Sequence, residues 1–224
     1  MHTGLQQFSS DRGEEIPVPV SERRTAFGKR FHVGFSGPGA EDRQELERFI
    51  FNSFRLAYGA RVHHFMPELM SLRNAYGELL AVCGLRIARE EKLFLEVYLD
   101  EPVEQALSMK TGRCVERADI IEVGNLAGFR PGMGRHLIAV LTAHLHEIGV
   151  PWVVFTANPG LRNAFTKLGI EITPICQADR SRLRTECQAG WGSYYGKNPY
   201  VMAGNVPENY PVLLDNLKLL EPLP

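Results

Sequence analysis

The chain is poor in the features that mark secreted, membrane-spanning or nucleic-acid-binding proteins. Its four cysteines, Cys83, Cys114, Cys176 and Cys187, show no Cys-x-x-Cys spacing and stand beside no histidine cluster. That argues against a disulfide scaffold and a structural zinc site, and predicts reduced, mostly buried thiols. His63 and His64 are adjacent, and His144 and His146 lie two apart on a predicted helix, so neither pair converges on one point and no metal is expected. Charge of one sign is also missing: 25 basic residues face 26 acidic ones, a net of −1. Neither nucleic acid nor an anionic membrane is therefore an expected partner, and Arg180, Arg182 and Arg184 read as solvated surface. No apolar run approaches a membrane span, and residues 1–15 are polar with no signal-type apolar core. A cytoplasmic location follows as an expectation. A Gly-x-Ser-x-Gly elbow is absent too, which removes the usual serine-hydrolase reading.

The sequence does have enough apolar residues, 44% of 224, to bury one substantial core. Its organisation reads as a loose arm over 1–30, a domain over 31–206 and a C-terminal helix or tail over 207–224. Strands are predicted at Phe31–Phe35, Glu68–Arg73, Glu78–Ala88, Leu93–Tyr98, Ala118–Leu126, Trp152–Ala157, Glu171–Ala178 and Tyr200–Val206. The 3.6-residue recurrence of Leu46, Phe49, Ile50, Phe54 and Ala57 predicts a helix over Glu41–Tyr58. Further helices are predicted over Pro102–Met109 (with Asp100 as a cap), Met133–Ile148, Leu161–Leu168 and Pro211–Leu219. This order predicts an α+β (mixed α/β) fold, a mostly antiparallel twisted sheet with helices on both faces. The strand–helix–strand unit at its centre should be a right-handed parallel crossover.

The densest information lies between Ile120 and Ile170. An apolar strand carrying a carboxylate, Ile120-Ile121-Glu122-Val123, leads to the turn Arg130-Pro131-Gly132-Met133-Gly134 and a helix, whose unpaired first amides make a phosphate cradle. A second strand, Trp152 to Thr156, runs into Asn158 and closes at Gly169-Ile170. This order resembles the acyl-CoA-binding half of the GNAT acyltransferases, in which the sheet splays between two parallel strands. The superfamily pattern Gln/Arg-x-x-Gly-x-Gly/Ala is met by Gly132 and Gly134, with Phe129 at the Gln/Arg position and Arg130 one place late. Its second pattern, Asn-x-x-Ala-x-x-x-Tyr-x-x-x-Gly-Phe, falls on Asn158, Leu161, Phe165, Gly169 and Ile170. The resemblance implies diphosphate binding by Arg130, Gly132, Met133, Gly134 and Arg135, and pantetheine contacts from Asn158 and Phe165.

Glu122 is expensive to bury unless it is paired or useful, and burial would raise its pKa into the range of a general base. A bulge at Gly124–Asn125 could aim an N–H at a thioester oxygen. Arg86 lies inside an apolar strand, with Glu122 or Glu96 as the expected partner. Glu96 and Tyr98 share one strand face and would line an acceptor pocket, while Trp191 and Tyr194 would cap an acyl pocket or pack the sheet edge.

Over residues 48–204 the chain resembles the thermostable haemolysin family, a GNAT-like group related to the acyl-homoserine-lactone synthases. The matching segments include Tyr58-Gly59-Ala60-Arg61, Cys83-Gly84-Leu85-Arg86, Phe94-Leu95-Glu96-Val97-Tyr98-Leu99-Asp100, Glu122-Val123-Gly124-Asn125-Leu126-Ala127, Trp152-Val153-Val154-Phe155-Thr156 and Trp191-Gly192-Ser193-Tyr194-Tyr195. The resemblance implies that Arg86 and Glu122 serve the acceptor and the acyl transfer. The synthases' paired aspartates have no counterpart between Arg61 and Met70. The expected activity is N-acyl transfer from an acyl-CoA or acyl-carrier-protein thioester, a co-substrate rather than a tightly bound cofactor, to a small amine. Two other readings stand beside it: a non-catalytic binder or membrane-active lysin, and a lactone-forming synthase that uses S-adenosylmethionine.

Overall fold

In the computed structural model, residues 7–9, 15–17, 31–128 and 132–216 are described. Where an irregular arm was expected, β1 (Gln7–Ser9) and β2 (Glu15–Pro17) pair as a small antiparallel sheet. The main sheet has seven strands: β3 (His32–Ser36), β4 (Glu68–Arg73), β5 (Leu79–Ile87), β6 (Ile120–Gly128), β7 (Trp152–Ala157), β8 (Thr173–Gln177) and β9 (Tyr200–Asn205). Their order across the sheet is β3-β4-β5-β6-β7-β9-β8, antiparallel throughout except for the parallel pair β6–β7. The expected mixed α+β, GNAT-like fold is the observed one.

Helix α1 (Arg43–Tyr58) buries Leu46, Ile50 and Phe54, the i, i+4, i+8 stripe that the sequence period marked. It ends where Gly59 adopts the left-handed conformation at φ 66°. Helix α3 (Met133–Glu147) is the parallel crossover. It packs on the opposite face against Ile121, Val123 and Phe155, together with α4 (Pro159–Lys167) and α6 (Val206–Asn216). Helix α6 starts five residues before the predicted Pro211 and places Val206 and Leu213 in that core. Helix α2 (Val103–Thr111) sits with Ile120, Trp152 and Val154 on the α1 side of the sheet. Its N-cap is Pro102 and it has no side-chain cap, so the predicted role of Asp100 does not arise; Asp100 pairs instead with Arg182 at 2.7 Å. A four-residue helix α5 (Thr185–Gln188) precedes the last strand.

One predicted strand is not a strand. Phe94–Tyr98 is a short 3-10 helix, because the N–H groups of Phe94 and Leu95 turn inward to a buried carboxylate instead of a neighbouring chain. Short apolar runs fit either period, and here a tertiary acceptor decided the matter. Cys83 is buried and its thiol is pushed up to about 12 by that burial, but Cys114 is exposed, against the expectation of buried thiols. No helix among the described residues is long and apolar enough to cross a membrane.

Candidate functional site

The site begins with what β6 does after residue 123. Its parallel ladder with β7 runs from Ile120↔Trp152 to Val123↔Phe155 and stops. Beyond that, β6 stays with β5 and β7 stays with β9, so the two strands part. A cavity of about 840 Å³ fills the fork and reaches both faces of the sheet. On the α3 face Ile138, Leu141, Thr142 and Leu145 line it, one side of the helix over two turns. On the other face an aromatic wall is built from Phe54, Tyr58, Phe94, Tyr98, Trp191 and Tyr194.

Glu122 stands on that aromatic side. Period-two alternation sends Ile121 and Val123 to the α3 core, so Glu122 turns the other way. It is 2% exposed, and its oxygens accept the N–H groups of Phe94 at 2.8 Å and Leu95 at 2.9 Å. Burial pushes its pKa up to about 7, against the pull of those two N–H groups and of Arg86. A carboxylate that titrates near neutrality at the edge of a cavity is equipped to take a proton.

Arg86 lies opposite Glu122 in register and lines the cavity, but its ion pair is with Glu91, at 3.5 Å, rather than with Glu122 or Glu96. Its buried Nε has no hydrogen bond among the described residues. Glu96 is not in the acceptor pocket. It is buried on the far side of the 3-10 turn, clasped by Arg117 at 2.7 and 2.9 Å and by the N–H groups of Leu93 and Val103. Burial opposes its ionisation, but these partners outweigh it and hold its pKa below the ordinary value. Tyr98 does line the cavity, and its hydroxyl is hydrogen-bonded to that of Tyr195. Trp191, Tyr194 and Tyr195 form a cluster of rings with centroids 5.3–5.9 Å apart, Tyr195 edge-on to the other two, on the cavity rather than at the sheet edge.

The bulge expected at Gly124–Asn125 is present: Gly84 pairs with Gly124 and Val82 with Ala127, and Asn125 takes φ 49°. The Asn125 side chain is occupied, however. Its Oδ1 accepts the Met66 N–H at 2.8 Å, tying the segment after α1 to the bulge. The Met66 side chain then lies across both glycines, and a Cβ on Gly84 or Gly124 would come within 2.5 or 2.3 Å of it. At Gly84, where the close atoms are the Met66 Cβ and Cγ next to its backbone, that contact explains the glycine; at Gly124 the close atom is the terminal methyl, which can swing aside.

At the start of α3, Gly132 is the N-cap with φ 92°, and no side chain caps the helix. Met133 is 1% exposed, so its side chain belongs to the core and only its amide faces the helix entrance. Gly134 lines the cavity and Arg135 is half-buried beside Gly132. Arg130 lies outside the described residues. Asn158 caps α4, its Oδ1 accepting the Leu161 N–H at 2.9 Å, while its Nδ2 donates to the Tyr58 hydroxyl at 2.7 Å. Phe165 stacks on Phe155 at 4.8 Å and also lines the cavity. Sequence reasoning missed Tyr58, Phe54 and Phe94 as wall residues. Tyr58 and Asn158 are 100 positions apart, and no local period links them.

A family model for thermostable hemolysin matches residues 36–210. No curated protein sequence matches the chain. Among solved structures, FeeM, an N-acyl amino acid synthase from uncultured soil microbes, is 16% identical with a TM-score of 0.53, over 83% of this chain and 97% of that one. The acyl-homoserine-lactone synthase LasI is 12% identical with a TM-score of 0.54, over 84% and 97%. A GCN5-related N-acetyltransferase from Brucella melitensis is 11% identical with a TM-score of 0.50, over 91% and 88%. These likenesses concern the fold, whereas the family match spans most of the sequence: the chain belongs to the thermostable hemolysin family.

Proposed function

We propose that the protein is an N-acyltransferase that moves an acyl group from a CoA or acyl-carrier-protein thioester to a small amine. The observation that carries this is the buried Glu122 carboxylate, titrating near 7, beside a cavity that opens where β6 and β7 part. The open amides at the start of α3, with Gly132 at φ 92° and Arg135 alongside, suit the donor's phosphate. The thioester then lies in the fork with its carbonyl toward the Gly124–Asn125 bulge. Its acyl chain runs along α3 from Ile138 to Leu145, about 10 Å of helix at 1.5 Å per residue, which suits a medium-length acyl group rather than acetyl.

The acceptor enters on the aromatic side, where its amine meets Glu122. Arg86, a cation on the cavity wall held only loosely by Glu91 at 3.5 Å, suits an acceptor that carries an acid group. An acid-bearing amine is also what an N-acyl amino acid synthase such as FeeM acylates. Direct attack of the amine on the thioester needs no covalent enzyme intermediate. In the mechanism Glu122 takes the amine proton, and bulge amides stabilise the oxyanion.

Thermal-shift titration with CoA, decanoyl-CoA, decanoyl-acyl carrier protein and S-adenosylmethionine tests the reading. Stabilisation by an acyl thioester, followed by thiol release on adding amino acids, is the expected outcome. Lysis of erythrocytes by the purified protein, with no thioester bound or consumed, would favour the lysin instead. Stabilisation by S-adenosylmethionine would favour the lactone-forming synthase.

A further inference from the structure

Aminolysis of a thioester forms a C–N bond and breaks a C–S bond, and the departing sulfur carries away the electron pair. Glu122 accounts for the proton that the amine loses. The sulfur needs a donor of its own.

The hydroxyls on the cavity wall, among the described residues, belong to Tyr58, Tyr98, Thr142, Thr156, Tyr194 and Tyr195. Tyr98 and Tyr195 are bonded to each other, which uses one of their two protons, and the pair stands within reach of the Glu122 charge, on the side of the base rather than across the fork from it. The Tyr194 hydroxyl reaches the Thr156 carbonyl at 3.5 Å. The two threonines are aliphatic alcohols, much weaker acids than a phenol. Phe165, where the superfamily pattern carries tyrosine, has no hydroxyl at all. Tyr58 is different. Its oxygen accepts the Asn158 Nδ2–H at 2.7 Å, and its own O–H has no acceptor among the described residues. An amide that donates to the phenol oxygen leaves the phenol proton free for the cavity.

The side chain is also held in place. Its ring meets Tyr194 edge-on at 5.2 Å and Phe54 at 5.7 Å. Its carbonyl accepts the Ser193 N–H at 2.8 Å, which fastens the end of α1 to the aromatic segment before β9. Asn158 stands at the end of β7, so it holds the hydroxyl of Tyr58, the last residue of α1, at the open end of the fork across from Glu122 on β6. A base on β6 and a phenol held by the end of β7 suit a tetrahedral centre between them.

We propose that Tyr58 gives its proton to the leaving sulfur, with Asn158 as the residue that positions it. This inference rests on the acyl-transfer reading and deepens it. As the C–S bond breaks, the sulfur takes the phenol proton and leaves as a thiol. The phenolate stays hydrogen-bonded to Asn158 Nδ2–H. Water in the cavity mouth carries to it the equivalent of the proton that Glu122 received, so both groups return to their starting states. Burial raises the Tyr58 pKa, with the Asn158 bond pulling the other way, which keeps the hydroxyl protonated at neutral pH between turnovers.

The test compares wild type with Tyr58→Phe on two donors, decanoyl-CoA and S-phenyl thiodecanoate, using an amino-acid panel as acceptors and free thiol as the readout. An aryl thiolate leaves without help, an alkyl thiolate does not. The expected result is a kcat about a hundredfold lower with decanoyl-CoA and little changed with the phenyl thioester, at similar KM. Asn158→Ala should show the same donor selectivity in milder form, and the double variant should lose no more than Tyr58→Phe alone. Equal losses on both donors, or none, overturn the role of Tyr58 while leaving acyl transfer standing. Wild-type protein that releases no thiol from either donor overturns both.

Discussion

Glu96 and Glu122 hold opposite sides of one turn of 3-10 helix: Glu122 accepts the N–H groups of Phe94 and Leu95, and Glu96 accepts that of Leu93. Arg117 completes the shell of Glu96 and holds its pKa below the ordinary value, whereas Glu122 has no ion pair among the described residues and is driven up to about 7. Two chemically identical groups are thus pushed in opposite directions, and the proposed division gives Glu96 a structural part and Glu122 the reactive one.

Replacing Glu122 by Gln should lower turnover about a hundredfold if the group is a general base. In wild type kcat/KM should rise with pH through about 7 as the carboxyl loses its proton, and that limb should vanish in the variant. An unchanged pH–rate profile would remove the role.

The same group sets a stability trend. Its folded pKa lies above the ordinary 4.5, so the folded state binds more protons than the unfolded one between about pH 4.5 and 7. Stability should therefore fall across that window, by about 3 kcal/mol at most. Urea titrations at pH 5 and pH 7.5 measure the slope, and Glu122→Gln should flatten it.

Arg117→Ala should destabilise the fold by about 2–3 kcal/mol, because it leaves a buried Glu96 carboxylate with only its backbone donors. Glu96 is depressed, so its contribution is present above its unfolded pKa and is lost as pH falls through the folded one. The gap between variant and wild type in denaturant midpoint should accordingly narrow in acid.

Leu141→Phe narrows the channel along α3 without touching Glu122. Activity with a long-chain donor should fall about tenfold relative to a short-chain one, the scale of one misfitted apolar group. An unaltered chain-length profile would place the acyl group elsewhere.

Gly192→Ala should cost about 2 kcal/mol or more. The residue has φ 51°, and a Cβ there would come within 2.1 Å of the Tyr58 carbonyl oxygen, a backbone atom that cannot swing aside. A thermal melt is sufficient to check it.

Much of the fold was legible because local period and tertiary demand agree. The stripe on α1 and the alternation in β6 follow from spacing alone, whereas α4, expected from Leu161, starts two residues earlier at Pro159 behind the Asn158 cap. The Glu122 anomaly was legible for a similar reason, since a carboxylate among isoleucines needs an explanation. What escaped was set by distant partners. The Phe94–Tyr98 turn exists because a side chain 27 residues away from Leu95 captures its amide. Arg86 found Glu91 rather than Glu122, and the Asn125 amide was claimed by a loop 59 residues upstream. The pairing of Tyr58 with Asn158 across 100 residues leaves no trace in any window.

Only four register pairs join the β3–β6 half of the sheet to the β7–β9–β8 half. Above that seam the halves are laced by side chains and loops instead, Asn158 and Ser193 both bonding to Tyr58. Position 122 is the third of the four rungs, so its carboxylate sits where the backbone is still fully knit while the space it faces is not.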